Sequence, residues 1–478
     1  MVLVASMVAM AAEHFDLAVI GSGSGNSLID ERFADRRVAM IDRGIGSTSA
    51  FGGTCLNVGC IPTKMFVHPA DLAHTPAESG RLGVTLDPAA VDWPQIRDRI
   101  FGRIDAISSG GRDWRLQNEN VTLFEGTAAF DDPHTLTMTT DAGTEQITAD
   151  QIVLANGSRP RPLAVPGADQ VTIHTSDDIM RLDALPESLL IVGGGFIAAE
   201  FAHVFAAYGV RVEIIGRSPQ LLTREDADVS ARFTEIIGQR ITLHLGESVT
   251  EVHPHEGGIA VHTKDTDGAP HRHVGAAVLN ATGRIPNSDT LNPQAAGLNV
   301  SNGLIGVDEH QRTNQPHIFA LGDVCSPWQL KHVANHEAKV VQHNLLHPQN
   351  LTRANHHAVP HAVFSHPQIA AVGLTEAAAR EQFDDVVSVI QDYGSVAYGW
   401  ALEDEQHFCK LVARNDGTIL GAHLIGPQAS ILIQPLIQAM ATELTAGRMA
   451  REQYWIHPAL TELVENALLA LPLEEAAQ

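Results

Sequence analysis

Short runs of consecutive apolar residues alternate along this chain with glycine clusters and with stretches in which apolar positions recur every three or four residues. Runs with no polar alternation read as strands buried on both faces, as in parallel sheets, and the stretches between them read as helices. Phe15 to Ile20 is such a run; it ends at Gly21-Ser22-Gly23-Ser24-Gly25-Asn26, and a second run covers Val38 to Ile41. That order predicts strand, helix, strand. It returns at Leu189 to Val192, followed by Gly193-Gly194-Gly195, a helical stretch through Tyr208 and a strand over Arg211 to Ile215. From about His356 short β-prone runs (Ala362 to Phe364, Ala370 to Val372, Lys410 to Val412) alternate with helical stretches, which predicts a separate α+β domain.

The fold class expected is therefore α/β, with two Rossmann-like dinucleotide-binding domains and a C-terminal α+β domain. The expected boundaries are 15–160 with 285–350 for the first, 161–284 for the second and 356–478 for the third. At 478 residues the chain exceeds one ordinary core, and 44% apolar with 18% charged residues is a globular composition. Residues 1–14 are apolar but carry no basic start and are too short to span a bilayer. They are expected to be a loose extension, with Met1, Met7 and Met10 as alternative starts and a degenerate signal peptide as the other reading.

A net charge of −25 excludes general affinity for nucleic acid or an anionic membrane, so any bound phosphate needs locally placed donors. Four cysteines in so long a chain exclude a disulfide-stapled scaffold, and two of them, Cys55 and Cys60, are only five residues apart. That spacing points to thiol chemistry in a reducing cytoplasmic setting. The histidines at His356, His357, His361 and His366 show no ordered ligand spacing and are expected to be solvated or core groups, so no metal is expected.

The first glycine turn has the dinucleotide-binding order of strand, turn, helix, strand and acidic residue. Gly21 permits the tight turn, Gly23 lets backbone approach a pyrophosphate, and Gly25 continues the turn. The helix start supplies amide donors, and Asp42 ends the next strand where ribose hydroxyls would be bound. Asn26 stands in the third glycine position. Such turns also serve ordinary strand-to-helix connections, so the acidic residue at the right interval is what favours a nucleotide.

Gly52-Gly53-Thr54-Cys55-Leu56-Asn57-Val58-Gly59-Cys60-Ile61-Pro62-Thr63-Lys64 is the most informative segment. Four residues between cysteines at a helix start let the sulfurs meet, and the helix dipole favours negative charge there. The bland alternative is two small buried thiols, the role expected of Cys325 and Cys409.

Gly-Gly-Thr-Cys-x4-Cys-x-Pro-x-Lys resembles the signature of the class I disulfide reductases, the family of glutathione reductase and lipoamide dehydrogenase. The resemblance covers nearly the whole chain, through Ala281-Thr282-Gly283-Arg284, Leu321-Gly322-Asp323 and a terminal His-Pro. It implies FAD at the first site, a nicotinamide nucleotide at the second and a C-terminal domain that pairs two subunits. Cys55 would be the interchange thiol that attacks substrate and Cys60 the charge-transfer thiol beside the flavin. Lys64 and Glu200 would pair near the flavin, and Asp323 would hold its ribityl-pyrophosphate region. Gly53, Thr54, Gly157, Lys331, His332 and Val333 would complete the FAD site. Ala155-Asn156-Gly157 departs from the family's usual Ala-Thr-Gly.

At the second site Gly193, Gly195 and Ala198 would seat the pyrophosphate, with Gly283 nearby and Phe196 where many relatives carry a tyrosine over the flavin. NAD sites usually end the second strand on a carboxylate, whereas here Ile214-Ile215 runs into Gly216-Arg217. A guanidinium in that place favours NADPH, with Arg224 as a second contact; Arg217 as a solvated loop residue is the alternative. Near the C-terminus, His457-Pro458-x-x-x-Glu462 resembles the family's acid–base element, with Glu462 fixing the His457 tautomer. In that family the element reaches the partner's cysteines, which implies a homodimer with shared active sites.

Gly25-Asn26-Ser27, Cys60 through Phe66, Gln329 through Glu337 and Trp455 through Leu460 also resemble an actinobacterial branch of the family. The disulfide substrate implied is mycothione, which joins two cysteinyl glucosaminyl-inositol thiols. Alternatives are a lipoamide dehydrogenase running toward NAD, a glutathione-type reductase, a mercuric reductase, for which the tail 471–478 lacks the extra cysteine pair, and a flavoprotein scaffold without turnover.

Overall fold

The computed structural model describes residues 12–474; Met1, Met7 and Met10 with most of the expected extension, and residues 475–478, lie outside the described residues. The chain divides into two compact units, one built from 1–62, 101–159 and 284–355, the other from 63–100, 160–283 and 356–478.

In the first unit Glu13–Ile20 lies between Val38–Asp42 and Gly143–Leu154, parallel to both, and Ile318–Ala320 extends the sheet beside Gly143–Leu154. Val121–Phe130 pairs parallel with Val38–Asp42, then joins Thr135–Thr140 and the start of Gly143–Leu154 in an antiparallel meander. Both faces of the parallel part are covered. Leu17, Val19, Val38, Met40 and Val153 pack with Leu28, Phe33, Val341 and Leu345, while Ala18, Ile20, Ala39, Ile41, Ile152 and Leu154 pack with Leu291 and Leu298. Burial on two faces is why these strands read as unbroken apolar runs.

The helix expected after Gly21–Asn26 is not there. Gly25–Leu28 and Glu31–Phe33 are separate 3-10 turns, with Ile29 extended between them and the Asp30 carboxylate accepting from the Arg32 amide to start the second. Ser27 spends its hydroxyl on the Ser24 carbonyl. Asn, Ser and Asp side chains that bond nearby backbone compete with a helix, and the short connection gives no length to recover the loss.

In the second unit a parallel sheet runs in the order Thr242–Leu245, Arg211–Gly216, Ser188–Val192, Ala277–Asn280, Ile173–His174. Helix Phe196–Ala207 follows the Gly193–Gly195 turn as expected. Ser248–His255, Gly258–Lys264 and Pro270–Gly275 form a three-stranded antiparallel sheet. The C-terminal part is a five-stranded antiparallel sheet in the order 360–363, 369–373, 419–425, 408–414, 386–392, so the three expected strands are present.

In strand Phe408–Arg414 the two-residue period turns Cys409, Leu411 and Ala413 into a core with Leu436, Met449, Leu463 and Leu468. Lys410 belongs to the opposite face and is nearly fully buried, its ammonium 2.8 Å from Asp226, 2.6 Å from Asp228 and 2.8 Å from Glu376. Burial pulls its pKa down, but the three carboxylates outweigh that and leave it above the ordinary lysine value. Among the described residues no helix is long and apolar enough to cross a membrane.

Candidate active site

The first glycine turn is built by backbone contact. Gly21 has φ 107° and a Cβ there would lie 2.3 Å from the Ala155 carbonyl oxygen. Gly53, with φ 73°, faces Gly23 so closely that its Cβ would come within 2.7 Å of the Gly23 Cα. The nucleotide turn and the cysteine turn are thus packed glycine on glycine, and the Ser22 hydroxyl accepts from the Gly52 amide at 2.8 Å. Asp42 accepts from the Ser22 amide at 2.6 Å and the Gly44 amide at 2.7 Å, which pins the carboxylate at the end of its strand.

Because the expected helix is missing, its amides and dipole do not serve this turn. The carbonyls freed by the irregular backbone are instead met by Arg115, whose guanidinium donates to the Asn26 carbonyl at 2.5 Å, the Ile29 carbonyl at 2.9 Å and the Asn26 side chain at 2.6 Å. Asn26 in the third glycine position therefore has a structural partner. Burial pushes the Arg115 pKa down to about 10, so it stays charged at neutral pH. Nothing in the sequence near the turn points to a residue 89 positions away.

A second network joins the remaining first-unit residues. Ser158 donates to Asp323 at 2.6 Å and accepts from Arg284 at 2.9 Å, while Arg284 also reaches Thr54 at 3.5 Å. Lys331 donates to the Ser24 hydroxyl at 2.9 Å, and the Gly322 amide is held by the buried Glu337 at 2.7 Å. His332 is exposed and Val333 buried at the start of helix Lys331–Leu346. The side-chain oxygens of Asn57 and Asn156 are buried with no hydrogen-bond partner. Orphan acceptors beside a backbone cradle fit a ligand with polar hydrogens such as a flavin nucleotide.

Cys55 lies in the short helix Gly53–Asn57, and Cys60 opens the 20-residue helix Cys60–Ser79. Cys55 is half-buried and Cys60 exposed. Asn57 ties the turn by donating to the carbonyls of Phe51 and Gly53, and Gly59 is tightly packed, since a Cβ there would lie 3.0 Å from the Thr54 carbonyl oxygen. Cys325 and Cys409 are buried, and burial pushes the Cys409 thiol up to about 12, as suits structural rather than reactive groups.

In the second unit Gly193, with φ 128°, packs against the Ala281 carbonyl, and Gly195 caps the helix bearing Phe196, Ala198 and Glu200. Phe196 is exposed and Ala198 buried. Gly157 and Gly283 both have positive φ and open space where a Cβ would be. Arg217 and Arg224 are exposed, and neither has an ion-pair partner among the described residues. Glu213, the carboxylate of the same strand, is occupied by His244 at 2.8 Å.

Lys64 meets both oxygens of the buried Glu200 at 2.7 Å, and Glu200 also accepts from the Phe364 amide at 2.9 Å. His457 has its Nδ1 2.7 Å from Glu462 with the ring 71% exposed, and the imidazole holds the Glu462 carboxyl below its ordinary range. The expected pairs are therefore formed, Lys64 with Glu200 and His457 with Glu462.

Two glycine-built cradles, one in contact with a cysteine pair at a helix start, define a nucleotide-dependent thiol–disulfide redox protein. Residues 15–338 match the pyridine nucleotide-disulphide oxidoreductase family and residues 359–468 match its dimerisation domain. The chain belongs to that family, and its cofactors are FAD and a pyridine nucleotide. Mycothione reductase of Mycobacterium tuberculosis is 49% identical over 96% of this chain and 100% of its own length. Dihydrolipoyl dehydrogenase of Haloferax volcanii is 35% identical over 95% of this chain and 96% of its own. The structure of the HOCl-induced flavoprotein disulfide reductase RclA of Escherichia coli has a TM-score of 0.82 and 26% identity, covering 95% of this chain and 99% of that one.

Proposed function

We propose that this chain uses NADPH to reduce mycothione to two mycothiols. The observation that carries the substrate is the full-length 49% identity to a mycothione reductase, against 35% to a dihydrolipoyl dehydrogenase. NADPH is supported by exposed Arg217 at the end of the strand whose one carboxylate, Glu213, is already engaged by His244.

FAD, when bound, passes two electrons from the nicotinamide to the Cys55–Cys60 disulfide. Cys55 attacks one substrate sulfur and releases the first thiol; Cys60 then attacks the Cys55 sulfur, releases the second thiol and closes the disulfide again. His457 delivers the proton that each departing thiolate needs, and Glu462, bonded to Nδ1, leaves Nε2 as the proton-carrying nitrogen. The C-terminal segment is the family's dimerisation domain, and we assign His457 to the partner's cysteines in a homodimer with shared sites. Thiol chemistry of this kind belongs in the reducing cytoplasm.

The test is NADPH oxidation by the FAD-loaded enzyme with mycothione, glutathione disulfide and lipoamide in parallel. The expected result is a kcat/KM for mycothione at least about a hundredfold above the other two, as a site that bonds substrate hydroxyls discriminates against analogues lacking them. Preference for lipoamide, or for NADH over NADPH, would refute the assignment.

A further inference from the structure

A cluster of metal-ligating side chains joins the parallel sheet that leads into Arg217 to the antiparallel sheet of the same unit. Glu213 Oε2 is 2.8 Å from His244 Nε2, and Glu247 Oε2 is 2.7 Å from His273 Nε2. The two imidazoles are tilted by 37° with centroids 3.9 Å apart, and the donor atoms of Glu213, His244 and His273 fall within 4.8 Å of one another. The four side chains are only 10–21% exposed. Each comes from a fixed backbone: Glu213 and His244 from the paired strands Arg211–Gly216 and Thr242–Leu245, His273 from Pro270–Gly275, and Glu247 from the turn before Ser248.

We propose that Glu213, His244 and His273 form a three-ligand site for a divalent transition-metal ion, its fourth position filled by water, Zn²⁺ being the natural fit. Two imidazole nitrogens and one carboxylate suit such an ion, whereas Mg²⁺ and Ca²⁺ favour oxygen alone. The Glu213 carboxylate neutralises one charge of the cation, and Glu247, bonded to His273, places a second negative charge behind that ligand. Bonds of about 2.1 Å in a tetrahedron put neighbouring ligand atoms about 3.4 Å apart, so the Glu213–His244 pair needs to open by roughly 0.6 Å to admit it. Glu247 supplies outer support by holding the His273 ring, and the Thr263 hydroxyl donates to Glu247 Oε2. Arg211 is 3.9 Å from the other Glu213 oxygen and mostly in solvent. By contrast, at the trio His74, Glu78 and His366 the guanidinium of Arg240 donates to the His366 carbonyl and acts on Glu78 by charge.

The site bears on nucleotide choice because the Glu247 amide donates to the Gly216 carbonyl at 3.0 Å and the Gly246 amide to the Ser218 carbonyl at 3.2 Å. An ion held there braces both sides of the turn that presents Arg217, a role that stands whichever disulfide is reduced.

Oxidised, FAD-loaded enzyme, with its redox cysteines closed, is stripped with EDTA, dialysed against Zn²⁺ and assayed for bound metal. One Zn²⁺ per chain is expected, not displaced by excess Mg²⁺. Affinity should fall at least about a hundredfold in His273→Ala and Glu213→Gln, and about 10–100-fold in Thr263→Val, the range for a supporting hydrogen bond. The exposed His255→Ala should bind as the unaltered enzyme does. Flavin content certifies folding of each variant, and X-ray absorption at the zinc edge of the unaltered enzyme, which needs no variant, should show four N/O ligands and no sulfur. No stoichiometric Zn²⁺, sulfur in the coordination shell, or binding lost with His74→Ala and kept in His273→Ala would overturn the proposal.

Discussion

Replacing Lys64 by methionine removes one half of an ion pair whose other half cannot escape. Glu200 has a side chain only 6% exposed, meets the Lys64 ammonium with both oxygens at 2.7 Å, and keeps just the Phe364 amide when the ammonium is gone. Stranding a fully buried charge costs about 3–5 kcal/mol, but the Lys64 side chain is 34% exposed, and water at that end screens the pair. The discounted cost of Lys64→Met is about 2 kcal/mol. The reverse change, Glu200→Gln, leaves an ammonium that can turn to water and an amide oxygen that still accepts from Phe364, for a cost of about 1 kcal/mol or less. The double variant holds no uncompensated charge and should be more stable than Lys64→Met alone, a coupling whose sign follows from burial rather than contact number. Urea unfolding of all four proteins at one fixed excess of FAD measures this, since bound flavin itself raises apparent stability. If Lys64→Met costs no more than Glu200→Gln, or if the two losses simply add, the asymmetry of burial is not what governs the pair.

Arg217→Ala should raise KM for NADPH about ten- to a hundredfold, the value of a charge-assisted contact of about 1.5–3 kcal/mol, and leave NADH use almost unchanged; equal losses with both nucleotides would remove Arg217 from the 2′-phosphate. Lys410→Met strands the buried Asp226, whereas Glu376 keeps Arg380 and Asp228 is half exposed, and should cost about 2–3 kcal/mol in urea unfolding, against a near-neutral result if Asp226 is already solvated. Cys55→Ser and His457→Ala homodimers should each be nearly inactive, the histidine loss costing about 10²–10⁴-fold, and their co-refolding with FAD should return about a quarter of normal activity, because half the dimers are mixed and each holds one intact shared site. No recovery in confirmed heterodimers would mean that His457 serves its own chain.

The strands were legible because burial on both faces leaves a continuous apolar run, as at Phe15–Ile20 and Leu189–Val192, short and bounded by glycine turns where a buried helix would run longer. Helix Phe196–Ala207 was legible too, with nearly every residue apolar and short-range competition absent. The first turn misled because a glycine cluster and a following strand are compatible with either a helix or two 3-10 turns. The decision rests on Ser27, Asp30 and the distant Arg115, whose guanidinium takes up carbonyls that a helix would have satisfied within itself.

The same division runs through the site. Gly21, Gly53 and Gly193 could be read from the chain because a tight turn or a backbone approach is a local demand that glycine alone meets. The cysteine turn is local as well, and its reading needed only Gly59 and Asn57 beside the thiols. Charge compensation leaves no such local mark. Lys64 and Glu200 are 136 residues apart and could be paired only through the family motif, while Lys410 with its three carboxylates, and Glu213 and Glu247 with their histidines, belong to no motif at all. A buried charge must be answered by another charge or a donor wherever the fold supplies one, and the partner's position in sequence is free to drift so long as its position in space holds. That freedom explains why an NADPH-selecting residue such as Arg217 could be suspected from its place after a strand, whereas the bonds from Gly246 and Glu247 that brace its turn became visible only when the neighbouring strand was in place.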